Sequence, residues 1–270
     1  MRQFFLIFIF CFFKVCTANA IDYDKEVQEK NKNLKHPDDF ICPSLDIKFE
    51  IVPKYGVPKI DYSLSKFEIN NLASANTAKT ESPLRSITDN HLVVHGLIEI
   101  VDAGRILLPQ KIANFSFYYD DKIYKKSCLI VEKIIYETGA KDMLIRIPND
   151  FNNNKCVREE VLKHELNHVK IYRQTLSKYS KITYQQGIKE LKNFKRPIAR
   201  SSEEEAKKDY DIVYKRIYSI IDKNTKLMNE ESLKLNRQFD VDDFKKDILK
   251  TKCGFVDEQP ITKNKKRRKK

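Results

Sequence analysis

Histidine is scarce in this chain, with five residues in 270. Two of them bracket a glutamate in His164-Glu165-Leu166-Asn167-His168. Residues four apart on a helix share a face, so both imidazoles can reach one metal ion. Zinc takes histidine nitrogen at about 2.0–2.1 Å and lowers the pKa of water it holds to about 7. Glu165 follows the first histidine and therefore flanks the ion instead of binding it. It is the candidate general base, taking a proton from zinc-activated water and passing it to a leaving group. Val161, Leu162, Leu166, Asn167 and Val169 keep the surroundings uncharged, as a core-facing helix requires, and Lys170 is the one departure. The competing reading is a purely structural helix that happens to carry two histidines.

A third ligand must come from elsewhere. No histidine follows His168, so the downstream candidates are acidic. Glu205 is the first choice, although it also completes a capping box in Ser202-Glu203-Glu204-Glu205. Glu203, Glu204, Asp240, His91 and His95 are the alternatives.

These residues need elements to position them. Leu45, Ile47, Phe49 and Ile51 alternate as a strand does, and Pro53 and Pro58 punctuate it. Residues 70–90, rich in Asn, Ala, Ser and Thr, read as a long loop, and 91–101 as β-rich. Phe115, Phe117 and Tyr119 alternate again before an Asp120-Asp121 turn. Residues 129–136 and 143–147 read as two strands joined by a turn over 137–142, with Pro148 ending the second. The period then becomes helical, with Val157, Val161, Leu162, Val169 and Tyr172 on one side. A second helix is expected over 184–194, ending near Pro197. A third starts at Ser202, its stripe being Ala206, Tyr210, Val213, Ile217 and Ile220. Strands first and helices afterwards give an α+β class.

The N-terminus reads as a cleaved signal peptide over 1–20. Arg2 supplies the charge, residues 4–13 the apolar run, and Ala18-Asn19-Ala20 the cleavage pattern. The run is too short to span and anchor, and a charged fraction of 33% excludes an integral membrane protein for the rest. The product is therefore expected in the periplasm or outside the cell. Cys42, Cys128, Cys156 and Cys253 remain, an even number that suits two disulfides in an oxidising compartment. Cys128–Cys156 is the favoured pair, because the expected hairpin lies between them, and Cys42–Cys253 would then tie the mature termini. Four reduced thiols are the alternative. Net charge is +13. Much of it lies in Lys263, Lys265, Lys266, Arg267, Arg268, Lys269 and Lys270, a self-repelling tail over 259–270 that suits an anionic surface or nucleic acid.

Residues 128–176 resemble a group of bacterial exported proteins known as predicted secreted zinc proteases. The resemblance lies in Cys128 before a hairpin, Cys156 at the mouth of a helix, and Val161-Leu162-Lys163-His164-Glu165-Leu166-Asn167-His168-Val169. Asn236-Arg237-Gln238-Phe239-Asp240, running on to Cys253, looks like the end of that group. The resemblance implies a zincin-like region over 128–258, an antiparallel-rich sheet followed by the motif helix and further C-terminal helices. It also implies zinc at His164 and His168, with Glu165 as base. Glu205-x-x-x-Asp209 resembles the gluzincin pair, in which the glutamate binds zinc and the aspartate orients a ligand histidine. Residues 21–127 form a separate β-rich region. The expected function is an exported zinc metallopeptidase acting on a peptide or protein. The alternatives are a non-catalytic zincin-like binding protein and an effector acting through its basic tail.

Overall fold

The computed structural model describes residues 23–43, 47–77, 96–102, 104–109, 111–193 and 199–256. The signal segment, His91, His95, Leu45, Pro197 and the basic tail lie outside them. Two compact units share the chain, each assembled from three stretches: 1–48, 108–134 and 189–217 in one, and 49–107, 135–188 and 218–270 in the other. The expected boundary at 127/128 falls inside the 108–134 stretch.

The first unit contains helix α1 (Tyr23–Lys30) and a hairpin of β5 (Lys111–Tyr119) and β6 (Lys122–Ile130). Asp120 and Asp121 both have positive φ, at 49° and 59°. That is the two-residue turn whose twist matches a hairpin, so the aspartate pair read as a turn is one. Alternation over Phe115, Phe117 and Tyr119 places one face inward, and the Phe40 ring stacks on Phe117 at 4.9 Å. Val27, Phe40, Cys42 and Cys128 form the buried centre.

The second unit is a sheet under two helices. Its strands are β1 (Lys48–Tyr55), β2 (Pro58–Asp61), β3 (Leu97–Asp102), β4 (Arg105–Leu107) and β7 (Lys133–Arg146). Strand β7 is central and pairs with each of β1, β2, β3 and β4. β2 runs parallel to it, and β3 and β4 antiparallel. Arg146 fastens three strands, its guanidinium pairing with Asp61 on β2 and, at 3.0 Å, with Glu99 on β3.

Helix α2 (Lys66–Thr77) occupies part of what the composition suggested was loop. Its signal was a capping box. The Glu68 carboxylate accepts from the Ser65 backbone N–H at 2.7 Å, and Ser65 Oγ accepts from the Glu68 N–H at 3.3 Å. Helix α3 (Lys155–Lys192) follows, started by Asn154, whose side chain accepts from the Val157 N–H at 3.2 Å. It runs unbroken through the residues expected to separate two helices. Thr175 turns its hydroxyl back to the Tyr172 carbonyl at 2.9 Å, so its polar group is satisfied within the helix. Helix α4 (Glu203–Lys246) begins where Ser202 predicts, and a short α5 (Ile248–Cys253) is the last helix among the described residues.

The expected hairpin over 129–147 does not form. Residues 129 and 130 end β6, and 133–146 are one continuous strand. Gly139, the centre of the expected turn, instead sits in the strand at φ +101°, where an added Cβ would collide with the Lys54 carbonyl and Leu176. Its neighbours Thr138 and Ala140 are buried, and Glu137 pairs with Arg105 and Lys54 from the flanking strands. Pairing on both sides outweighs the local turn preference.

The disulfides change with it. The structure has Cys42–Cys128 and Cys156–Cys253, not the expected Cys128–Cys156 and Cys42–Cys253. Without that hairpin nothing returns the chain from Cys128 to Cys156.

Ala140, Met143, Ile145 and Ile147 pack against Val157, Val161, Val169, Tyr172 and Leu176 of α3 and Met228 of α4. Gly139→Ala imposes both a strained φ and a backbone collision, so it should lower stability by about 3 kcal/mol. Denaturant unfolding of the mature chain checks this. A loss within experimental error would contradict the close approach of β1 and β7.

Candidate metal centre

Val169 and Leu176 of α3 turn toward the sheet, while His164 and His168, about 100° round the helix and in line with Val157 and Val161, point toward α4. They meet a face made by Ser232, Asn236, Asp240 and Asp243, spaced three and four apart so that they line one side of that helix. The two Nε2 atoms lie 2.9 Å apart. Asp240 Oδ1 lies 2.9 Å from His168 Nε2 and 3.3 Å from His164 Nε2. Among the described residues, these three form the group able to hold a metal ion.

The other ring nitrogens are held as well. His164 Nδ1 lies 2.7 Å from Asp243 Oδ2, and His168 Nδ1 2.8 Å from Asn236 Oδ1. A carboxylate and an amide oxygen only accept, so each neutral ring carries its proton on Nδ1. That leaves both Nε2 lone pairs directed at Asp240, the tautomer a metal requires. Phe239 packs on both rings, with centroids 4.8 Å from His164 and 5.1 Å from His168. Ser232 and Asn236 are fully buried and bond to each other at 3.5 Å.

The set fits a small divalent cation. Two nitrogens and an oxygen at about 2.0–2.2 Å from one ion are separated by about 3.3 Å. The observed separations of 2.9, 2.9 and 3.3 Å require an opening of only a few tenths of an ångström.

Glu165 lies on the flank between this face and the sheet. It is buried, and its carboxylate rests against Gly96, where an added Cβ would stand 2.5 Å from Oε1. Burial raises its pKa, against the lowering effect of His168 and His164. Burial opposes charge on His164, but the hydrogen bond to Asp240, the charge of Glu165 and the hydrogen bond to Asp243 outweigh it and hold its pKa at about 9. His168 is raised by the same balance, burial being overcome by Asp240 and Glu165. Asp240 is lowered, the two imidazoles prevailing over its burial.

Of the residues singled out in the sequence, His164, Glu165 and His168 come together. The group that could hold a metal ion contains Asp240, one of the alternatives, and not Glu205. Glu205 stands in the first turn of α4 and accepts from Ser201 Oγ at 2.7 Å, while Ser202 Oγ accepts from the Glu205 N–H at 3.2 Å. Its capping role is the one it fills. Asp209, the would-be orienting residue, pairs with Arg200 at 2.7 and 2.9 Å. Asn236, Phe239 and Asp243 were missed as parts of the site. Their signal was polar residues recurring at helical spacing on the buried side of α4.

Comparison with protein-family models, with curated proteins and with solved structures gives no match.

The histidine pKa shifts set a pH dependence for the metal-free protein. The folded-state value of His164, about 9, exceeds its ordinary 6.5. The stabilisation is therefore complete below pH 6.5 and is lost as pH rises through about 9, His168 adding in the same direction. With a chelator present, stability should fall by on the order of 2 kcal/mol across that range. Unfolding midpoints should be much flatter with pH for His164→Ala/His168→Ala. An equally steep decline in that variant would locate the effect elsewhere.

Proposed function

We propose that this chain is an exported zinc metallopeptidase of zincin-like architecture. The observation that carries the reading is the convergence of His164 Nε2, His168 Nε2 and Asp240 Oδ1, with Glu165 beside the first histidine on the same helix. Two imidazoles and one carboxylate are a donor set suited to zinc, and three protein ligands leave a position open for chemistry. A zinc ion held there supplies a Lewis acid and makes water acidic near neutral pH.

The residues of the chain do the rest. Asp243 and Asn236 keep the two rings in one tautomer and orientation. Phe239 covers the rings and limits water around them. Glu165, its pKa raised by burial, is suited to accept a proton from the attacking water and to give it to the departing amine. Gly96 lets the backbone pass against that carboxylate and leads directly into β3.

Among the described residues β3 pairs with β7 alone. Its far edge offers backbone N–H and C=O groups to an extended peptide, which would lie alongside as an added strand. Export is supported by the signal-like N-terminus and by two disulfides, which persist in oxidising compartments. No helix of the described residues is long and apolar enough to cross a membrane.

Metal analysis by mass spectrometry on the mature chain tests the reading first. About one zinc per chain is expected for wild type and for Glu165→Gln, with loss in His164→Ala, His168→Ala and Asp240→Ala and retention in Glu205→Gln. Cleavage of a peptide library should then fall by about 10³-fold or more in Glu165→Gln, since the base is gone while the metal remains. Zinc binding without any Glu165-dependent cleavage would favour the non-catalytic reading.

A further inference from the structure

The helix that carries His164 and His168 is joined covalently to the segment that follows α4. Cys156 lies in the first turn of α3, eight residues before His164. At the other end, α4 stops at Lys246, three residues beyond Asp243. Asp247 then takes a left-handed conformation at φ 42°, which turns the chain into α5. The last residue of α5 is Cys253, bonded to Cys156 across 97 residues of sequence. The final turns of α4, which carry Asp240 and Asp243, are thus tied back to the start of the helix that carries His164 and His168. Leu249, Cys253 and Phe255 also pack against the core of this unit. Lys252 pairs with Glu160 at 2.8 Å, and Phe255 meets Phe151 edge-on at 5.6 Å.

The two disulfides differ in access. Cys42 and Cys128 are 1% and 0% exposed, whereas Cys156 is on the surface and Cys253 half-buried. A reductant meets the second bond first.

We infer that the Cys156–Cys253 disulfide is a redox control on the metal site, holding Asp240 in place when oxidised and releasing the metal when reduced. This rests on the metal-site reading above. The reaction partner is a dithiol reductant. Its thiolate attacks Cys156 Sγ, the protein disulfide breaks, and Cys253 leaves as a thiolate that takes up a proton. The reductant's second thiol then resolves the mixed disulfide, freeing Cys156 as a thiol and leaving the reductant as its own disulfide. Two electrons and two protons pass to the protein. The end of α4 is afterwards held to α3 by the seam itself and by the noncovalent contacts of α5.

The test measures zinc affinity of the full mature chain by competition with a chromogenic chelator. Cys156→Ser/Cys253→Ser should bind at least tenfold more weakly than wild type, and Cys42→Ser/Cys128→Ser within twofold of it. In case a variant does not fold, wild type is also treated briefly with a dithiol, alkylated, freed of reagent and measured in the same way. Peptide mapping should find label on Cys156 and Cys253 before Cys42 and Cys128, with the same loss of affinity. An unchanged affinity in the first variant or in the alkylated protein overturns the inference, as does earlier labelling of Cys42 and Cys128. If wild type takes up no zinc, or no more than His164→Ala, the metal-site reading itself fails and the inference falls with it.

Discussion

A buried and a half-buried imidazole facing one another are the constraint from which this structure follows. An imidazole removed from water must have its N–H satisfied and its lone pair directed at something electropositive. Helix α4 supplies the acceptors, Asp243 and Asn236 at the Nδ1 atoms and Asp240 between the Nε2 atoms, where a proton or a cation must stand between each lone pair and the carboxylate. The partners lie 68 and 79 residues away along the chain. Neither helix can satisfy its side of the seam by itself. Both must be long, and they must meet in one register, since a shift by a single residue would rotate Asn236 and Asp240 away by about 100°.

That register is also fixed by the apolar packing of α3. Val157, Val161, Val169, Tyr172 and Leu176 bury against Ala140, Met143, Ile145 and Ile147, so the rotation of the helix is set by apolar packing against β7. The close approach has requirements of its own. Gly139 admits the Lys54 carbonyl and the Leu176 side chain, and Gly187 admits the ring of Phe49 into the surface of α3. Glu165 falls on the boundary between the two faces. It is brought against Gly96 by the same rotation that turns the histidines toward α4.

The chemistry was legible in the sequence because it is local. A five-residue window contains both histidines and the glutamate, and helical spacing alone puts them on adjoining faces. The start of α4 was legible for the same reason, since Ser202 and Glu205 are three residues apart. Long-range choices were less so. Gly139 among Thr138, Ala140, Lys141 and Asp142 carries a strong local turn preference, and only β1 and β4 on either side explain why it remains extended. The disulfide pairing was inferred from that turn and changed with it. Glu205 was favoured by its resemblance to a known ligand pair, but its local hydrogen bonds to Ser201 and Ser202 claim it. Asp240 carried a weaker signal. It could be recognised only by noticing that Ser232, Asn236, Asp240 and Asp243 continue, in polar residues, the inward stripe begun by Val213, Ile217 and Met228.

Charge balance then argues for an ion in the seam. With both imidazoles neutral, Glu165, Asp240 and Asp243 place three carboxylates around a half-buried cluster. Such an arrangement is costly in a medium of low dielectric unless positive charge accompanies it. In the metal-free protein that charge comes from protons, which is why the pKa values of His164 and His168 are raised despite burial that works against them. A divalent cation would supply the same charge while displacing those protons, and would do so without disturbing the bonds at either Nδ1. Asp243, beyond the ligands, also adds to the negative charge that Lys252 meets. A purely structural helix pair could have filled the seam with leucine at less cost, and five polar side chains facing one another suit a group that could hold a cation.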